Sequence, residues 1–187
     1  MAKKFMSGLF RSRRKSSLTA KSSANIRDAS AEDCAAICEI YNFYISGTVI
    51  TFDEQAMLPS SWEEKLRQVK DLNLPFIVAT LDSGELLGFA YLAPWRQKSA
   101  YRRTVENTIY LKHSAVGQGI GPKLLSDLLR LGKEAGIKEV VAVISDSEAD
   151  TSIRMHKQLG FKKVGQLPGV GHKFNRWLGV ILMQKSL

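Results

Sequence analysis

Residues 104–125, TVENTIYLKHSAVGQGIGPKLL, constrain this chain more than any other stretch. TVENTIYL alternates and is rich in β-branched residues. That predicts a strand with Val105, Asn107, Ile109 and Leu111 on one side and Glu106, Thr108 and Tyr110 on the other. Gly117, Gly119 and Gly121 follow, and then a leucine-rich run with Pro122 in its first turn and Gly136 past its end, which predicts a helix over 121–135. A glycine loop entering a helix gathers main-chain N–H groups at the positive end of the helix dipole, which suits phosphate; plain corners are often glycine-rich too. Glu106 is the exception, a carboxylate in a strand otherwise fit for burial.

The other elements follow from periodicity. Ser30-Ala31-Glu32-Asp33 has a capping-box pattern and precedes Cys34, Ile37, Cys38, Tyr41 and Ile45 at helical spacing. Ser61-Trp62-Glu63-Glu64 repeats the cap ahead of Leu66 and Val69, in a helix that must stop before Pro75. TVITFDE, between the two helices, is β-prone at its start. FIVATL and ELLGFAYLA read as strands joined by Asp82-Ser83-Gly84. KEVVAVIS is apolar enough to be buried on both faces, 149–159 is helical before Gly160, and FKKVGQL and RWLGVILMQ close the chain as strands. The order α, α, β, β, β, α, β, α, β, β implies an α/β domain with one mixed sheet and helices on both faces.

Charge separates off the first 25 residues. They hold Lys3, Lys4, Arg11, Arg13, Arg14, Lys15 and Lys21 with no acid, so they contribute +7 of the formal net charge of +9. Residues 26–187 are close to balanced, which is not the distribution of a nucleic-acid-binding domain, and no nucleic-acid partner is expected. Residues 1–25 are read as a basic tail, either a solvated arm or a transit peptide for an organelle, and 26–187 as the folded domain. No apolar run is long enough to span a bilayer, so the expected location is cytoplasmic, with an organelle as the alternative. Cys34 and Cys38 share a helix face but lack the ligand count of a metal site, so no metal is expected and the pair is read as small core residues.

Two phosphate-loop patterns fail on the letters. A dinucleotide fingerprint needs glycine where Pro122 stands, and a Walker loop needs Gly-Lys-Ser/Thr where the chain has Gly121-Pro122-Lys123-Leu124. A strand with a mid-run carboxylate, a G-x-G-x-G loop and a helix instead resembles motif A of the GNAT acyl-CoA N-acetyltransferases. The resemblance extends over roughly 26–187: IYNFYISGTVITFDE, APWRQKSAYRRTVENTIY, SIRMHKQLGF and GHKFNRW are similar to the phosphinothricin and methionine-sulfone acetyltransferase branch.

That resemblance implies a GNAT-like acyl-CoA N-acyltransferase fold and a homodimer that moves acetyl from acetyl-CoA to the α-amine of a small amino acid or analogue. It implies Glu106 as the catalytic carboxylate. Ile109, Tyr110 and Leu111 are implied as the strand that meets the pantetheine arm, and Gly117, Gln118, Gly119, Ile120, Gly121 and Pro122 as the pyrophosphate loop. His156 is implied near the thiol end, and Ser99, Ala100, Tyr101, Arg102 and Arg103 near the acceptor. Three positions depart from the branch: Val116 for Gln or Arg, Ala149 for Asn, and Gly179 for Asp. Val116 and Ala149 leave open a GNAT protein that holds acyl-CoA without turnover, and the sequence does not separate a small acceptor from a protein or peptide amine.

The chemistry suits the residue types. An amine attacks a thioester only as the neutral lone pair, and a partly buried carboxylate can take its proton. Periodicity alone favours Glu106 as a half-exposed strand residue paired with Arg102 or Arg103; the flanking segments that carry the resemblance favour the catalytic reading. His156 is likewise open to being a satisfied helix histidine, and His113 and His172 read as loop residues. Lys123 either adds charge near a phosphate or is an ordinary surface lysine.

Overall fold

The alternation read in TVENTIYL is realised as the middle strand of a seven-stranded sheet. The computed structural model describes residues 24–187. Its elements are β1 (Asn25–Asp28), α1 (Cys34–Gly47), α2 (Pro59–Asp71), β2 (Phe76–Thr80), β3 (Leu86–Pro94), β4 (Thr104–Leu111), α3 (Ile120–Glu134), β5 (Glu139–Ser145), α4 (Asp150–Gln158), β6 (Lys162–Lys173) and β7 (Arg176–Ser186). The sheet order is β1-β2-β3-β4-β5-β7-β6, and every pair is antiparallel except β4 with β5.

Each face of the sheet carries its own apolar layer. On one, Leu124, Leu125, Leu128 and Leu129 of α3 pack on Ile77, Leu92, Val105 and Val140. On the other, Ile37 of α1 and Trp62, Leu66 and Val69 of α2 pack on Val78 and Phe89. Cys34 and Cys38 are buried free thiols in that second layer. As expected, Ile109 and Leu111 of β4 lie against the α3 layer and Tyr110 against the α1 layer.

Several boundaries differ from the sequence reading. Most of the basic tail lies outside the described residues, but Ala24 is buried and Asn25 begins β1, so these two residues belong to the fold. NIRD offers only one apolar side chain, and main-chain pairing with β2 makes it a strand. α2 starts at Pro59 rather than after a cap at Ser61, because proline fits a helix's first turn; its N-cap is Leu58. TVITFDE forms no strand; it is an irregular segment with Thr51 buried. His172 is in β6, paired with Trp177, rather than in a loop. Lys123 donates its ammonium to the carbonyl oxygen of Ala24, which ties β1 to α3.

Candidate functional site

β4 and β5 pair in parallel only from Thr104 opposite Glu139 to Glu106 opposite Val141. Beyond Glu106, β4 stays with β3 as far as Leu111 and β5 stays with β7 as far as Ser145, so the strands part and leave a wedge. Trp95 N–H donates to Thr104 O at 3.2 Å and Lys112 N–H to Leu87 O at 2.8 Å, so the main-chain groups of the even-numbered residues of β4 point to β3, those of Tyr110 included, contrary to the expectation that its backbone meets the arm. Alternation then turns the main-chain groups of Asn107, Ile109 and Leu111 toward the wedge. Leu111 O is already taken there by the Tyr44 hydroxyl at 2.7 Å.

A cavity of about 110 Å³ occupies the wedge. Its walls are β4 from Glu106 to Tyr110, β5 from Ala142 to Ser145, Ile50, and Ala149, Ser152 and His156 at the start of α4 and along it. Glu106, Ile109, Tyr110 and His156, which the sequence places in one site, are therefore brought together. Ala149 is buried in the wall, where it offers a methyl group and no polar atom.

Glu106 is the last β4 residue in register with β5, so it stands at the closed end of the wedge. Burial pushes its carboxyl above the usual carboxylate range, and the Arg96 charge partly opposes the shift. The alternative in which Glu106 pairs with Arg102 or Arg103 is overturned: among the described residues no ion pair includes Glu106. Arg102 donates to Ser99 O at 3.3 Å, and Arg103 is exposed, its carbonyl oxygen accepting from the Lys138 and Glu139 N–H groups.

The acceptor segment predicted at 99–103 does not line this cavity. Ser99–Tyr101 is a single helical turn in the β3–β4 connection. Tyr101 faces an open hollow of about 620 Å³ with Trp95 and Arg96, and Arg102 lines another with Leu72 and Ile137. Arg96 stacks 4.4 Å from the Trp95 ring centroid. It is the basic residue that acts on Glu106, and the sequence reading passed over it.

The glycine loop sits at the open end of β4. Gly117 and Gly119 have φ of 83° and 81°, a left-handed backbone that side chains rarely adopt, and Gly119 is the N-cap of α3. Gly121 serves closeness instead: a Cβ there would meet Met155 Sδ at 3.0 Å and Leu111 Cδ1 at 3.5 Å, so α3 begins hard against α4 and the end of β4. The first turn of α3 carries no acidic residue, and its main-chain donors suit an anion. Within the loop Gln118 donates its amide to Ser114 O at 2.8 Å, Ile120 is buried in the core, and Pro122 and Val116 are exposed.

His156 is buried, which pushes its imidazolium below the usual range and keeps the ring neutral. Nδ1 lies 2.8 Å from Ser152 O and Nε2 lies 3.0 Å from Asn107 Nδ2. On the other wall a polar cluster supports the Ile50 segment: the Tyr41 hydroxyl contacts Thr51 Oγ1 at 2.8 Å and Asp53 Oδ2 at 2.6 Å, and buried Lys173 donates to Thr51 O at 2.8 Å. Burial holds the Tyr41 and Tyr110 phenols protonated. Among the described residues no group of three or more His, Cys, Asp or Glu is gathered that could hold a metal, and no helix is long and apolar enough to cross a membrane.

An elongated arm with amide groups fits a wedge edged by main-chain donors and acceptors, and phosphates fit the start of α3. Residues 34–161 match the acetyltransferase (GNAT) family. The chain is 37% identical to a phosphinothricin N-acetyltransferase of Streptomyces viridochromogenes, covering 86% of each protein. It is 36% identical to an L-methionine sulfoximine/L-methionine sulfone acetyltransferase of Pseudomonas paraeruginosa, covering 88% of this chain and 95% of that one. The structure of yncA from Salmonella typhimurium with its cofactor acetyl-CoA superposes with a TM-score of 0.85 at 36% identity, covering 89% of this chain and 95% of that one.

Proposed function

The chain belongs to the acetyltransferase (GNAT) family as an acetyl-CoA-dependent N-acetyltransferase, and from that premise we propose that it acetylates the α-amine of a small amino acid or analogue, with Glu106 as general base. The observation that carries this reading is the position of Glu106 at the closed end of the β4–β5 wedge, half-buried and without an ionic partner among the described residues. The class of acceptor follows relatives whose substrates are phosphinothricin and methionine sulfoximine or sulfone.

The co-substrate supplies an activated thioester. The wedge-side groups of Asn107 and Ile109, with Leu111 N–H, bind its arm, and the Gly117–Gly121 loop and the first turn of α3 bind its phosphates. Glu106, raised toward neutrality, takes a proton from the acceptor ammonium directly or through water and leaves the lone pair free. A wedge-side N–H of β4 stabilises the oxygen on which negative charge develops. Tyr101, Arg102 and Arg103, with Ser99 and Ala100, border the acceptor once a second copy completes the pocket. The acceptor's carboxylate matches the forked donors of arginine.

The homodimer belongs to the same reading. Val164, Leu167 and Val170 of β6, Phe174 in the hairpin turn and Trp177 of β7 are exposed apolar residues on a single hairpin, Trp177 at 75%. Such a patch suits a self-complementary contact.

The test is CoA thiol release from acetyl-CoA against a panel of phosphinothricin, methionine sulfone, free amino acids and a peptide with a free N-terminus. Release with the small acceptors is expected. Release with the peptide alone would overturn the small-acceptor reading.

A further inference from the structure

The β3–β4 connection, residues 95–103, lends the same cations to two hollows. Arg96 and Lys98 line the open hollow beside Trp95 and Tyr101, and together with Arg102 they line a second one of about 460 Å³. The second hollow lies at the end of the sheet, between the turn after α2 and the turn after α3, and it shares no wall residue with the wedge cavity. Leu72, Leu74, Val105, Ala135 and Ile137 form its apolar surface. Leu72 is 53% exposed, a large apolar side chain left open to solvent at the rim.

The charge of this hollow is one-sided. No aspartate or glutamate lines it, and among the described residues none of Arg96, Lys98 and Arg102 has an acidic partner. Arg102 is oriented by its bond to Ser99 O at 3.3 Å, which uses one of the five guanidinium donors. The carbonyl groups that end α3 beside Ala135 are already met, Leu131 O by Ala135 N–H at 2.9 Å and Gly132 O by Ile137 N–H at 3.0 Å. Cations over an apolar surface select an anion with an apolar body. A free amino acid matches poorly, because its ammonium would meet only like charge. Acetylation removes that ammonium and leaves a carboxylate on an apolar frame. Resting on the α-amine acetylation proposed above, we propose that this hollow binds an N-acylated amino acid, the class of the enzyme's own product, with its carboxylate on Arg102 and its side chain on Leu72, Leu74 and Ile137. Because Arg96 and Lys98 border both hollows, a bound product draws them away from the side on which Arg96 acts on Glu106. Product bound there slows turnover without taking the acceptor's place.

The test uses the full chain and measures binding by calorimetry for N-acetyl-L-methionine, an anion, and for its uncharged amide. The acid is expected to bind about 10-fold or more tightly than the amide, the range of a charge-assisted pair. Leu72→Asp sets a carboxylate against the ligand's own and is expected to raise the Kd for the acid about 10-fold or more, with thiol release and the KM for the acceptor unchanged. Arg102→Gln should weaken the acid about 10-fold and leave the amide unchanged. Equal affinity for acid and amide, or an unchanged Kd in Leu72→Asp, would overturn the assignment. A rise in the acceptor KM of Leu72→Asp that matched its loss of N-acetyl-L-methionine would identify the hollow as the acceptor pocket and overturn it too. Should the variants not fold, inhibition of the wild type by N-acetyl-L-methionine decides: kcat should fall, and a rise in the acceptor KM alone would reject the separate site. Binding is read without turnover, so the two readings fail separately. Absent thiol release with small acceptors rejects the acceptor class, and absent binding of the acid rejects the hollow.

Discussion

Replacing Glu106 by glutamine separates a catalytic carboxylate from a structural one, because the structure predicts opposite effects on rate and on stability. The substitution keeps size and shape, so it opens no cavity beside Ala93, its cross-strand partner. It breaks no ion pair, since none among the described residues includes Glu106. Burial raises the folded-state pKa above the ordinary 4.5. A carboxyl raised in this way contributes its stability below the unfolded pKa and loses it as pH rises through the folded one. At neutral pH the wild type therefore bears an ionisation cost that the amide does not, and the melting temperature of Glu106→Gln should equal or exceed that of wild type. The rate should move the other way: loss of general-base help lowers kcat by about 10²–10⁴-fold, or roughly 3–5 kcal/mol in barrier. The defect should narrow at high pH, where the acceptor amine loses its proton unaided. The assay is thiol release with saturating acetyl-CoA, run beside thermal melts at pH 7 and at pH 4, where the stability difference should shrink. A variant of wild-type rate would refute the base assignment, and one that lost rate and several degrees of melting temperature together would mark Glu106 as structural.

Arg96→Gln removes the positive charge that opposes the rise in the Glu106 pKa. The acidic limb of the kcat/KM profile should then move to higher pH, and a limb that stayed or moved down would show that Arg96 does not act on the base. Sedimentation of the full chain should give twice the 20.8 kDa monomer mass, and Trp177→Glu, which places a charge in the exposed hairpin patch, should shift it toward the monomer. A wild-type monomer at micromolar concentration would refute the dimer.

Much of the fold was legible because its signals are local. The alternation in TVENTIYL placed Glu106 and Asn107 on opposite faces of β4, and the spacing of Leu124, Leu125, Leu128 and Leu129 located the buried side of α3. The glycine pattern located the loop for a similarly local reason, two left-handed backbones at Gly117 and Gly119. The wedge was not legible, since it arises where β4 and β5 stop pairing, and each strand alone reads as continuous. Asn107 and His156 meet across 49 residues of sequence. The available hint was an amide on the otherwise apolar face of a strand, which marked Asn107 as needing a partner without saying which. Arg96 was hidden differently: Arg102 and Arg103 are nearer to Glu106 in sequence, and the β3–β4 connection turns them away.

Gly179, one of the departures from the branch that the sequence resembles, has a local explanation that can be tested by exchange. Asp146, at the end of β5, accepts the Gly179 N–H through Oδ1 at 3.0 Å, and its own N–H donates to Gly179 O at 3.0 Å. A Cβ at 179 would overlap Asp146 Oδ2 and lie 2.8 Å from Leu167 O. The carboxylate that a β7 aspartate would supply thus comes from β5, and only glycine leaves room for it. Gly179→Asp should cost about 1–3 kcal/mol for overpacking, with like-charge repulsion added, and lower the melting temperature by several degrees. Adding Asp146→Ala removes the nearest clash and the second charge, so the double variant should recover a coupling of at least about 1 kcal/mol, short of wild type because Leu167 O is main chain and yields little. Additive losses would mean that Asp146 is not what excludes a side chain at 179. The departure would then need a cause on the other side of β7.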